Sequence, residues 1–198
     1  MKKIYLISPN ELNKYFYNFL PKVLSTKKVK FLQLRCKKYS RKNLTKHIIK
    51  ILPITQKYKV KLIINDNFFL ASRIQVDGCH MGQLDGSFKI ARKKLKNKIL
   101  GVTCHNSKKL AKNAIKEKVD YIAFGAFNPT KTKKVKYLAS KKVLTEAKKL
   151  TNIPIVAIGG INSKNYKKLL LNNANFLAIS SYIWNNKKYK PLEALERL

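Results

Sequence analysis

Acidic side chains are scarce in this chain. Nine Asp and Glu stand against 44 Lys and Arg among 198 residues, a formal net charge of +35. That scarcity makes position informative, because three of the nine, Asp66, Asp77 and Asp85, fall within the 25 residues LIINDNFFLASRIQVDGCHMGQLDG, Leu62 to Gly86. Long apolar runs are lacking too. None approaches the roughly 20 residues of a membrane-spanning helix, and the run in MKKIYLISPN is too short for the apolar centre of a secretory leader. The expected compartment is the cytoplasm. Cys36, Cys79 and Cys104 are odd in number and show no C-x-x-C spacing, which argues against a disulfide framework or a zinc site. They read as small apolar packing groups. No Gly-, Ser- or Pro-rich linker and no low-complexity tract divides the chain, so residues 1–198 are expected to form one domain. A Ser/His/Asp or Cys/His catalytic arrangement is also missing.

The positive charge favours anionic partners: nucleic acid, a membrane surface or phosphorylated metabolites. Its distribution narrows the choice. Lys doublets run from 27–28 to 187–188 through nearly every segment, as on solvated helix faces. A nucleic-acid binder concentrates its charge on one face or tail and interleaves exposed aromatics, so specific nucleic-acid binding is not expected. With 45% hydrophobic residues the chain can bury a core.

Apolar runs of strand length recur at 3–7, 29–35, 60–65, 75–80, 98–103, 119–125, 154–159 and 176–180. Helical spacing appears between them. Leu12, Tyr15, Phe16 and Phe19 fall at i, i+3, i+4 and i+7; Leu44, Ile48 and Ile49, then Leu110, Ala114 and Ile115, then Leu144, Ala147 and Leu150 repeat the pattern, and 165–171 and 192–198 complete it. Strands apolar on both faces, alternating with helices, imply a parallel sheet covered by crossover helices. Eight such units predict a single compact (β/α)8 TIM barrel, with an open doubly wound sheet as the alternative.

In such a barrel the site lies at the C-terminal strand ends, and those ends are polar here. Gln33, Arg35 and Lys37 alternate after the second strand and point to one face. Buried among apolar groups, those two cations call for an anion. Asn65 and Asp66 end the third strand, and His80, Gln83 and Asp85 follow the fourth. Two carboxylates on neighbouring strand ends can share one hard cation such as Mg²⁺ through oxygen ligands. Equally, Asp66 and Asp85 can cap the helices that follow them. Thr103 and His105 end the fifth strand; either histidine can be an acid/base group or a packed, orienting side chain. After the sixth, FGAFNPTKTK presents Thr130, Thr132 and Lys133, a set of hydroxyls and an ammonium suited to phosphate oxygens. Gly160 at the seventh, with Ser180 and Ser181 at the eighth, resembles a phosphate cradle. Glycine lets the backbone approach an anion, and Ser181 can cap a short helix whose N–H groups face it. Two anion sites and a metal at one mouth describe a transferase from which diphosphate leaves.

These motifs resemble those of the thiamine-phosphate synthases. QLRCK is similar to their Q-x-R-x-K motif, IINDN to N-D, DGCHMGQLD to D-G-x-H-x-G-Q-x-D, and GAFNPTKTK to G-x-x-x-P-T-x-T-K. AIGGI and AISS match the last phosphate loops, and GVTCHNS and FLAISSYIWN look alphaproteobacterial. The resemblance implies a (β/α)8 barrel that joins 4-amino-5-hydroxymethyl-2-methylpyrimidine diphosphate to 4-methyl-5-(2-phosphoethyl)thiazole. It implies Mg²⁺ on Asp66 and Asp85. It places Gln33, Arg35, Lys37, Asn65, Thr103 and Lys133 on the pyrimidine diphosphate, and Thr130, Thr132, Gly160, Ser180 and Ser181 on the thiazole phosphate. The first strand ends in SPN rather than T-D, Thr103 stands where Ser is common, and the Lys-rich stretch after Lys133 lacks G-L-x-x-L. A thiazole tautomerase of the same fold is the nearest rival; it needs no diphosphate grip. A basic nucleic-acid-binding module is the rival of another class.

Overall fold

Each apolar run pairs with the next in sequence, and the last returns to the first. The structure is a computed structural model and describes residues 4–130 and 138–198. The strands are β1 (Ile4–Ile7), β2 (Val29–Leu34), β3 (Lys61–Asn65), β4 (Gly78–Met81), β5 (Ile99–Thr103), β6 (Tyr121–Phe124), β7 (Ile155–Ile158) and β8 (Phe176–Ile179). All neighbours are parallel and the sheet closes as β1-β2-β3-β4-β5-β6-β7-β8. The helices are α1 (Lys14–Ser25), α2 (Arg41–Lys57), α3 (Phe68–Arg73), α4 (Phe88–Leu95), α5 (Lys108–Lys116), α6 (Lys142–Leu150), α7 (Tyr166–Leu171), α8 (Ser181–Trp184) and α9 (Pro191–Glu196). This is the expected TIM barrel, not an open doubly wound sheet. The thermodynamic reason is the two-sided burial of the strands. Outward residues such as Leu32, Leu62, Ile64 and Leu100 are fully buried, in one hydrophobic cluster with helix residues such as Phe16, Leu20, Leu24 and Ile51.

The starts of α1 to α5 are set by short polar side chains that accept the otherwise unpaired first-turn N–H groups. Asn13 accepts from Phe16 N, Ser40 from Asn43 N, Asn67 from Leu70 N, Ser87 from Ile90 N and Ser107 from Leu110 N. The caps of α3 and α4 are therefore Asn67 and Ser87. Asp66 and Asp85 cap neither helix.

The barrel interior is closed by aromatics. Tyr5 stacks on Phe31 with ring centroids 5.2 Å apart, and Phe31 meets Phe176 edge-on at 5.1 Å. Tyr121 fits because Gly101 lies opposite it; a Cβ there would sit 1.9 Å from Tyr121 Cζ. At the other end of the strands a repeated device ties pairs together. The residue just before β4, β6 and β8 turns its side chain onto a main-chain N–H of the preceding strand. Asp77 accepts from Leu62 N, Asp120 from Leu100 N and Asn175 from Ile155 N, at 2.8, 2.7 and 2.8 Å. This is also why β4 begins at Gly78, three residues after the start of its apolar run.

Candidate active site

The loop from β3 into α3 forces Asp66 into the site. Asp66 takes a left-handed backbone conformation (φ 65°), and its N–H donates to His80 O at 2.8 Å. Asp85 reaches back from the β4–α4 loop, where its Oδ2 accepts from Gly82 N at 2.6 Å. Gly82 has no side chain to obstruct this: a Cβ would lie 2.9 Å from that oxygen. The two carboxylates come within hydrogen-bonding reach of each other. Burial and then the facing Asp85 push the Asp66 carboxyl above its usual value, against the pull of Lys37. Lys37 Nζ sits 3.2 Å from Asp66 Oδ2. A facing pair of half-buried carboxylates is held at a disadvantage unless positive charge joins it, and hard divalent cations prefer such oxygens. Among the described residues no group of three or more His, Cys, Asp or Glu gathers. The donor chemistry of the pair, two carboxylates, suits Mg²⁺, which is commonly held by one or two carboxylates with substrate phosphates and water.

The neighbouring strand ends complete the mouth. Gln33 is buried in β2 and donates from Nε2 to Tyr5 Oη at 2.9 Å. Arg35 follows the strand, with its N–H on Ser8 Oγ at 3.0 Å. Asn65 ends β3 and is paired in register with His80. His80 is itself buried, with Nε2 2.7 Å from Thr103 Oγ1 at the end of β5. Burial pushes its imidazole down to about 4, against Asp85 and with Arg35. His80 is thus an uncharged, packed side chain at neutral pH. His105 is exposed on the β5–α5 loop, again in a left-handed conformation.

On the opposite side the loops after β6 and β7 interlock. Gly160 (φ 60°) lies against the chain of Asn128 and Pro129, and a Cβ would meet Pro129 O at 2.4 Å. Glycine is required here both by conformation and by this close approach. Thr130 ends the described part of that loop; Thr132 and Lys133 lie outside the described residues. Ser180 occupies the N-cap position of α8 and Ser181 its first residue, but the Ser180 hydroxyl turns away to donate to Ser8 O at 3.1 Å. Asp66, Asp85, Lys37, Arg35, Asn65 and Thr103 are thereby brought to one side of the mouth, and Gly160, Thr130, Ser180 and Ser181 to strand ends β6 to β8. Sequence reasoning missed Tyr5 and Tyr121, which hold the polar groups from below. The available signal was a glycine, Gly101, opposite an interior tyrosine.

A closed eight-stranded parallel barrel with carboxylates, cations and hydroxyls on its C-terminal strand ends is the frame of an enzyme acting on phosphorylated small molecules. A family model described as thiamine monophosphate synthase matches residues 4–183. The thiamine-phosphate synthase of Pelagibacter ubique (strain HTCC1062) is 62% identical over 200 residues, covering 100% of this chain and 96% of that one. That of Rhodospirillum centenum (strain ATCC 51521 / SW) is 37% identical, covering 93% and 90%. The fold is shared with the thiamine phosphate pyrophosphorylase of Pyrococcus furiosus at a TM-score of 0.86 and 23% identity, over 99% of this chain and 93% of the other. The chain belongs to the thiamine-phosphate synthase family.

Proposed function

We propose that this protein condenses 4-amino-5-hydroxymethyl-2-methylpyrimidine diphosphate with 4-methyl-5-(2-phosphoethyl)thiazole, releasing diphosphate and forming thiamine phosphate. Family membership gives the reaction. The single structural observation that carries the site is the facing pair Asp66 and Asp85, with Lys37 Nζ 3.2 Å from Asp66. Asp66 and Asp85 would hold Mg²⁺. The ion would supply charge neutralisation to the diphosphate.

The chain's own groups do the rest. Arg35 and Lys37 lie on the diphosphate side, with Lys133 added from the T-x-T-K run. They stabilise negative charge growing on the leaving oxygens, which is the charge that differs between ground and transition state. Gln33, Asn65 and Thr103 orient the pyrimidine. Its ring amine releases electron density into the exocyclic methylene carbon, so the carbon–oxygen bond can break before the thiazole nitrogen attacks. No protein nucleophile is needed. Thr130, Thr132, Gly160, Ser180 and Ser181 hold the thiazole phosphate, placing the nitrogen opposite the leaving group.

The thiazole tautomerase reading gives the Asp66–Asp85 pair nothing to do, and the nucleic-acid reading gives the family motifs nothing to do. Charged, phosphorylated substrates cross a bilayer poorly, which supports a cytoplasmic location; among the described residues no helix is long and apolar enough to span a membrane. The test is purified protein with both substrates and Mg²⁺, following diphosphate and thiamine phosphate together. Equimolar appearance of the two is expected, abolished by chelation. No product, with tight and steeply salt-dependent binding of DNA or RNA, would replace this reading by the nucleic-acid one.

A further inference from the structure

Inside the barrel, polar side chains from five strands form one hydrogen-bonded line. Gln33 Nε2 donates to Tyr5 Oη at 2.9 Å. Tyr5 Oη lies 2.7 Å from Tyr121 Oη. Tyr121 Oη lies 2.9 Å from His80 Nδ1, and His80 Nε2 lies 2.7 Å from Thr103 Oγ1. Gln33, Tyr5, Tyr121 and His80 are at most 7% exposed, so bulk water does not enter the count. The Tyr121 and His80 rings stack within 16° of parallel, and Gly101 leaves the space for this.

The line has a direction. An amide N–H can only donate, so the Tyr5 oxygen accepts from Gln33. The Tyr5 hydrogen then has Tyr121 as its acceptor. Tyr121, accepting from Tyr5, gives its own hydrogen to His80 Nδ1. Nδ1 is therefore the bare nitrogen, and the single hydrogen of the neutral ring sits on Nε2, facing Thr103. Thr103 accepts it and keeps its own hydroxyl hydrogen to give elsewhere. A protonated ring does not fit the line: Nδ1–H would push Tyr121 to donate to Tyr5, leaving the Tyr5 hydrogen against the amide N–H of Gln33.

We propose that His80 is a positioning residue for Thr103: the line from Gln33 fixes the Nε2–H tautomer, and that tautomer presents the Thr103 hydroxyl as a hydrogen-bond donor to the pyrimidine diphosphate. The substrate role rests on the function proposed above; the tautomer does not. The step moves no proton. It selects which way one hydroxyl faces before the substrate arrives, which is a form of preorganisation.

The tautomer is read directly. The chain has three histidines, so ¹⁵N-histidine labelling gives three imidazole spectra, assigned with His47→Gln and His105→Gln. His80 is expected with Nδ1 bare and Nε2 protonated at neutral pH, and with that preference lost in Tyr121→Phe. The opposite tautomer, or a ring protonated on both nitrogens, overturns the proposal. In kinetics, Tyr121→Phe and His80→Leu should lower kcat/KM for the pyrimidine diphosphate about tenfold, the worth of one oriented hydrogen bond. KM for the thiazole phosphate should not move. His80→Gln, whose amide N–H can reach the same hydroxyl, should recover most of the loss. In a Thr103→Ala background His80→Leu should cost nothing further. An equal loss in both backgrounds overturns the positioning role. If the wild type makes no product, the substrate role fails with the proposed function, while the spectrum still decides the tautomer.

Discussion

Asp85 holds two relationships at once, an N–H bond from Gly82 and a carboxylate facing Asp66. Asp85→Asn separates them, because the amide oxygen can still accept from Gly82 while the charge is gone. We expect the fold to survive, turnover to fall at least tenfold, and the Mg²⁺ titration of diphosphate release to shift to higher concentration. An unchanged titration with normal turnover removes Asp85 from the proposed metal site. Asp77 is the control. It pairs with Lys61 at 2.8 Å and with Leu62 N, so Asp77→Asn should lower the melting temperature and leave the Mg²⁺ titration alone. The four aspartates of the chain thus divide into two pairs. Asp66 and Asp85 face the mouth, while Asp77 and Asp120 tie strands at the far end. Composition alone showed that carboxylates were scarce. Only the backbone shows which pair is structural.

At the scale of elements, the strands were legible because their apolar runs are bounded by turns and buried on both faces. The longer helices were legible because their apolar residues recur at three and four. The helices α3 and α4 have six and eight residues, and an aspartate stands one or two residues before each true cap, Asn67 and Ser87, so the capping expectation fell on Asp66 and Asp85 instead. Tyr5 and Tyr121 were hidden because a tyrosine inside a strand counts as apolar until its hydroxyl is given a partner. Chain order fixes which strand ends share a mouth, so those ends could be named from the sequence. They could not predict that Gly160 packs on the loop after β6. That contact gives a test of the loop pair. Gly160→Ala brings a Cβ against Pro129 O and so displaces the segment that carries Thr130. We expect KM for the thiazole phosphate to rise at least tenfold and KM for the pyrimidine diphosphate to change far less. Equal rises would mean that these loops do not form a separate phosphate site.

For the whole molecule, nine carboxylates cannot neutralise 44 cations. Like charges spread over α1 to α7 repel one another, and the folded state suffers more than the expanded one. Salt shortens the reach of that repulsion to about 10 Å at 0.1 M and about 3 Å at 1 M. The melting temperature should therefore rise by several degrees between dilute buffer and about 0.5 M of a salt that does not bind the site, and a flat or falling curve would show that the charge is already compensated. The three side chains placed before β4, β6 and β8 have a consequence of their own. They make the cylinder a set of bolted pairs, 3–4, 5–6 and 7–8. In the first pair the corresponding position is Lys28, which has no acceptor to offer; there only its carbonyl holds Ile4 N. Of the four odd–even strand pairs, the first alone lacks the side-chain tie among the described residues, and deuterium should enter the start of β1 before it reaches Leu62, Leu100 or Ile155.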